Sequence, residues 1–167
     1  MVGSVTNTMM NPTTLQKPKI RDATVRQRHE GKLLEPPMGP QLVKLSARET
    51  DGVFELIEIE VRPGMGPPLH IHPTFDESFY VLEGTLTLRV GDDMYEVHAG
   101  GSAIAPAGEV HSWTNRGDKP MRFLQVTAPG GSMEDMLEAF AARPLLSPEE
   151  MAQLAELYGT IVVGPPL

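Results

Sequence analysis

Four side chains in this sequence have the types and spacing to hold a metal ion. His70 and His72 are two residues apart in PLHIHP, and a β-strand repeats its side-chain direction every two residues. On a strand both imidazoles leave the same face, about 6.5 Å apart at their Cα atoms, a span one ion can bridge. Glu77 opens the next apolar run, ESFYVLEG, after a break at Pro73 and Thr74. The best fourth ligand is His111, presented by the Pro/Gly turn of PAGEVHSW. With no cysteine in the chain, any ion is held by nitrogen and oxygen, which suits one divalent transition metal: Fe, Mn, Ni, Co, Cu or Zn. Three neutral imidazoles and one carboxylate leave such an ion a net charge of about +1. In an octahedral ion two positions stay open, the mark of a catalytic rather than a structural site.

The missing cysteines also exclude disulfides, thiolate nucleophiles, iron–sulfur clusters and zinc fingers. A formal net charge of −8 over 167 residues argues against nucleic acid or an anionic membrane as partner. No apolar run is long enough for a transmembrane helix, and MVGSVTNTMMNPTT lacks the pattern of a secretory signal, so the expectation is a cytoplasmic protein.

The elements that must carry these ligands follow in chain order. Residues 1–40 read as an N-terminal arm, partly mobile or exchanged with a partner subunit, with His29 exposed. From Gln41 to residue 128 the texture is of short apolar runs divided by turn residues. VFELIEIEV is rich in β-branched residues. TLTLRV alternates cleanly, and Gly91-Asp92-Asp93 signals a hairpin into MYEVH, where His98 faces away from the apolar side. Roughly eight strands with Gly/Pro turns predict an antiparallel sandwich or barrel. Residues 129–167 switch to helical spacing. Ser132 with Asp135 suggests one capped helix start, and Ser147-Pro148-Glu149-Glu150 a stronger one ending at Gly159. The final GPPL carries no signal.

Two motifs tie these readings together. Gly64, His70, His72, Glu77 and Gly84 fit G-x5-H-x-H-x4-E-x6-G, and Gly100, Pro106, Gly108, His111 and Asn115 fit G-x5-P-x-G-x2-H-x3-N. With both motifs intact, the chain resembles the single-domain cupins, and among them the quercetin dioxygenase branch. The resemblance implies an all-β fold, an antiparallel jelly-roll β-barrel, with two short C-terminal helices added. It implies metal binding by His70, His72, Glu77 and His111, and turns rather than chemistry for the motif glycines, proline and asparagine. It also implies a homodimer paired through N-terminal strands.

Alternation from the ligands sketches a pocket. Phe79 follows Glu77 inward and Trp113 follows His111, with Phe54, Met65, Phe75 and Phe123 or Gln125 as further wall candidates. Phe79 and Trp113 are equally suited to filling the barrel core. No Arg or Lys separates the ligands, which disfavours a strongly phosphorylated substrate. The leading expectation is a metal-dependent oxygenase on a small enolic or aromatic molecule, with Glu77 as catalytic base as well as ligand. The alternatives are a non-redox isomerase, lyase or hydrolase, and a small-molecule-binding protein without turnover.

Overall fold

The computed structural model describes residues 23–167, and among them eleven strands and two helices. One sheet holds six strands: β1 (Lys32–Leu34), β2 (Gln41–Leu45), β3 (Glu55–Val61), β5 (Asp76–Glu83), β8 (Ser102–Ala105) and β10 (Met121–Ala128), in the order β1-β2-β3-β10-β5-β8. The other holds β4 (Pro68–Ile71), β6 (Thr85–Val90), β7 (Asp93–His98), β9 (His111–Thr114) and β11 (Ile161–Pro166), in the order β11-β4-β9-β6-β7. Every pairing is antiparallel, and the two sheets close on each other as a jelly-roll barrel.

Period-2 alternation sets which residues face the interior. Ile57, Ile59 and Val61 of β3, Phe79 and Val81 of β5, and Met121 and Phe123 of β10 are buried, while their sequence neighbours are not. Leu86 and Leu88 of β6 and Trp113 of β9 meet them from the second sheet. Phe123 lies edge-on to both Phe79 and Trp113, with ring centroids 5.7 and 5.1 Å away. Each such side chain contributes about 1.5–3 kcal/mol on burial, so this aromatic cluster anchors the floor on which the ligands stand. Gly84 joins β5 to β6 at φ +82°, and a Cβ there would sit 2.9 Å from Met121 Cβ. Only glycine fits this corner.

At its two ends the chain departs from the sequence expectation. Of the segment expected to form an arm, residues 1–22 lie outside the described residues. Residues 32–34 form β1 in the barrel sheet, pairing with β2 of the same chain (Lys32↔Val43). After β10 come α1 (Met133–Ala141) and α2 (Pro148–Leu157), the two expected helices. Helix α2 starts as predicted, with a complete Ser147/Glu150 capping box and Pro148 in the first turn. Helix α1 does not use Ser132, whose side chain caps nothing. The cap comes instead from the buried carboxylate of Glu55 on β3, which accepts from the backbone N–H groups of Gly131, Met133 and Glu134 and from the Thr127 hydroxyl. A strand residue 79 positions earlier is invisible to a local capping pattern. The silent tail is β11, which pairs with β4 alongside the His-x-His segment (Ile161↔Ile71, Val162↔His70).

Candidate metal centre

The ligand candidates converge from three strands and one strand end. His70 on β4 and His111 on β9 are Cα partners across one antiparallel pair, so adjacent strands aim both rings inward. His72 follows β4 at the same parity as His70. Glu77 sits on the inward face of β5, in the opposite sheet. The turn before His111 is pinned to the first motif: Gly108 N–H donates to the His72 carbonyl at 2.9 Å, and Ala107 N–H to Asp76 Oδ1 at 2.8 Å. Asn115 closes the second motif structurally, its amide donating to the carbonyls of Val61 and Lys119.

All four side chains are buried, and one ligand atom from each lies within 4.8 Å of all the others. At metal–ligand bonds of about 2.0–2.2 Å, neighbouring donors of an octahedral ion are about 3 Å apart and opposed donors about 4.2 Å. Small side-chain adjustments bring the set to that spacing. Among the described residues no other group of three or more such side chains converges in this way.

Each imidazole is oriented from behind. His70 Nδ1 donates to the Pro68 carbonyl at 2.8 Å and His111 Nδ1 to the Glu109 carbonyl at 2.9 Å, which leaves Nε2 facing inward. His72 Nδ1 meets the Thr160 hydroxyl at 3.2 Å, and its ring stacks on Phe75 at a centroid separation of 4.2 Å. Thr160 arrives there because α2 ends in a Schellman turn. Gly159 adopts φ +79°, and the N–H groups of Gly159 and Thr160 return to the carbonyls of Glu156 and Ala155.

The electrostatics ready His70, His72 and Glu77 for an ion, while His111 holds its proton more tightly. Burial holds His70 below the usual histidine range and His72 down to about 4, so both are neutral donors at neutral pH. Burial pushes the Glu77 carboxyl up, but the hydrogen bond with His111 and the nearby imidazoles outweigh it and hold the group ionised. His111 resists burial in the same way. Its contact with Glu77, Nε2 to Oε2 at 2.9 Å, raises it above the usual value. The fit to a metal is tested by His72 Nε2. This atom belongs to a residue only 1% exposed and has no hydrogen-bond partner, and the nearest carboxylate oxygen, Glu77 Oε2, is 3.8 Å away. A buried nitrogen left so costs about 1–3 kcal/mol. A divalent ion with a nitrogen-and-oxygen donor set is the partner that fits it.

Next to the ligands lies a cavity of about 50 Å³, lined by His70, His72, Glu77, Trp113, Gln125, Gln41, Met38, Ile59, Pro67, Met133, Met136, Leu137 and Thr160. Of the residues expected to wall a pocket, Trp113 and Gln125 line it. Phe75 lies behind His72, and Phe79 and Phe123 lie in the core beneath. Phe54 and Met65 do not line it. The alternation that sends Glu55 inward turns Phe54 away, and Met65 is 37% exposed on the loop before β4. The sequence reading missed the roof, which is α1. Met133, Met136 and Leu137 recur at helical spacing, a legible amphipathic stripe whose docking site is not legible. Gln41 and Thr160 carry no local signal.

A family model described as a cupin domain matches residues 57–127. Quercetin 2,3-dioxygenase of Bacillus subtilis (strain 168) is 34% identical over 71 residues, which are 42% of this chain and 21% of that enzyme. The polyketide cyclase RemF from Streptomyces resistomycificus superposes with a TM-score of 0.56 at 25% identity, over 65% of this chain and 80% of RemF. KdgF from Halomonas sp. superposes with a TM-score of 0.60 at 15% identity, over 70% of this chain and all of KdgF, a likeness of fold. The chain spans 16% to 64% of the length of the curated relatives it matches.

Proposed function

This chain belongs to the cupin superfamily, and on that premise we propose that it is a metal-dependent oxygenase acting on a small enolic substrate. One observation carries the reading: four buried ligand atoms meet within 4.8 Å while His72 Nε2 lacks any other partner. His70, His72, Glu77 and His111 would hold the ion. When bound, it would supply Lewis acidity toward an anionic substrate oxygen and, for any candidate but zinc, a redox-active centre for reaction with O₂. The match to quercetin 2,3-dioxygenase supports the oxygenase branch.

The chain's own residues would do the remaining work. Glu77 is ionised and sits at the cavity wall, so its carboxylate is placed to take the proton of an enol or hydroxyl group. The carbonyls of Pro68 and Glu109 and the Thr160 hydroxyl fix the imidazole planes. Trp113, Ile59 and the α1 residues Met133, Met136 and Leu137 exclude bulk water, which strengthens each polar contact inside. The aromatic half of the sequence expectation is less well served, because a cavity of about 50 Å³ has room for few atoms while α1 is docked.

The match to a polyketide cyclase favours a second reading, non-redox chemistry at the same centre. The two separate cleanly. Substrate-dependent O₂ consumption that stops on zinc substitution supports the oxygenase. Turnover that persists with zinc under nitrogen supports the non-redox enzyme and contradicts the first reading.

A further inference from the structure

Gln41 opens β2 beside β3, with Ile59 as its Cα partner, and lines the cavity next to the metal-ligand candidates, three of which (His70, His72 and Glu77) share its wall. It is 2% exposed, and its Oε1 has no hydrogen-bond partner. An amide oxygen accepts up to two hydrogen bonds, and buried polar atoms in native proteins are nearly always paired. Gln41 is among the residues that line the cavity, so a polar group brought into that space is the partner within reach of this buried oxygen.

The rest of the wall limits what that is. Met38, Ile59, Trp113, Met133, Met136 and Leu137 are apolar, and no Lys or Arg lines the space. The chain therefore offers no cation to a second negative charge. A volume of about 50 Å³ takes on the order of four water-sized groups. We propose that Gln41 is the specificity-determining residue of this site, accepting a hydrogen bond from a hydroxyl group of a small, singly anionic hydroxy-carbonyl or enediol substrate. The neighbouring oxygen of that substrate would go to the ion, so the inference rests on the metal-centre reading above. It adds the substrate class and the residue that selects it.

The test uses the full-length protein loaded with Co²⁺, titrated with glycolate and with propionate and followed by the visible cobalt spectrum. The two acids are close in size, and only glycolate has a hydroxyl group to donate. Wild type should favour glycolate, and Gln41→Met, which keeps the shape of the side chain but not its oxygen, should cut that preference about tenfold while leaving propionate affinity nearly unchanged. Gln41→Leu gives the same comparison should the methionine variant not fold. A glycolate preference equal in wild type and variant, each holding one cobalt ion per chain, would overturn the role of Gln41 alone, since chelation by the metal would then explain it. Failure of the wild type to hold cobalt would overturn the metal-centre reading and this inference with it.

Discussion

Thr160 Oγ1 lies 3.2 Å from His72 Nδ1, across 88 residues of chain, and is the side-chain hydrogen bond by which the C-terminal segment touches a ligand ring, beside the backbone pairing of Val162 with His70. The hydroxyl holds the ring plane, and outer contacts of this kind are typically worth 10–100-fold in metal affinity. Thr160→Val should therefore weaken Zn²⁺ or Co²⁺ binding by about tenfold in a chelator-competition titration, and Thr160→Ser should restore it. Equal affinity in wild type and the valine variant would remove Thr160 from the metal centre.

Glu55 should be a stability determinant out of proportion to its lack of chemistry. Its carboxylate accepts four hydrogen bonds, three of them from the backbone at the start of α1, and Lys32 pairs with Glu134 on the same helix at 2.9 Å. Glu55→Ala removes the acceptor and leaves the Thr127, Met133 and Glu134 donors buried, while the exposed Gly131 N–H can turn to water, at about 1–3 kcal/mol for each buried group left unpaired. The expected outcome is a lower melting temperature with faster amide exchange confined first to α1. Uniformly faster exchange across the barrel would show that the helix is not a separate unit.

Met136 should set the upper size of the ligand. It stands in the roof of the cavity with Met133 and Leu137. Met136→Ala should let the Co²⁺ protein bind benzoate at least tenfold more tightly relative to propionate, read by the same spectral titration. An unchanged ratio would place the size limit elsewhere.

The metal-free protein should lose stability as pH falls from neutrality. Burial holds His72 down to about 4, against 6.5 for an unperturbed histidine. Between those values the unfolded chain binds a proton that the folded chain does not, so folding weakens with acid, by roughly 3 kcal/mol over the full window. His70 shifts in the same direction. His111 shifts in the opposite one: its contribution is present at low pH and lost as pH rises through its raised value, which offsets part of the trend. His72→Asn should flatten the decline in melting temperature between pH 7 and pH 5. Parallel curves for wild type and variant would contradict the burial of a neutral His72.

What could be read in the sequence was local. The period-2 pattern of ELIEIEV, the Gly91 hairpin and the Ser147 capping box each act within a few residues, and the structure has them in place; TLTLRV forms the expected strand, but Thr87 is buried along with Leu86 and Leu88 instead of facing outward. His70, His72, Glu77 and His111 were legible because motif spacing ties each to its own turn. The features that escaped notice depend on distant partners. Glu55 looks like an ordinary strand residue until α1 docks on it, and GPPL gives no strand signal until β4 offers its edge. Gln41 and Thr160 matter only through what lies across the cavity. Phe54 and Met65 precede their strands, so no alternation from a ligand orients them, and their place outside the cavity is not legible.

The most direct measurement is elemental analysis of the protein purified without added metal, alongside the His72→Ala variant. The account predicts about one divalent transition ion per wild-type chain, and loss of most of it from a variant that keeps its β-rich circular dichroism. Metal at full occupancy in the folded variant, or none in a wild type offered iron, manganese, cobalt, nickel, copper and zinc in turn, would contradict it.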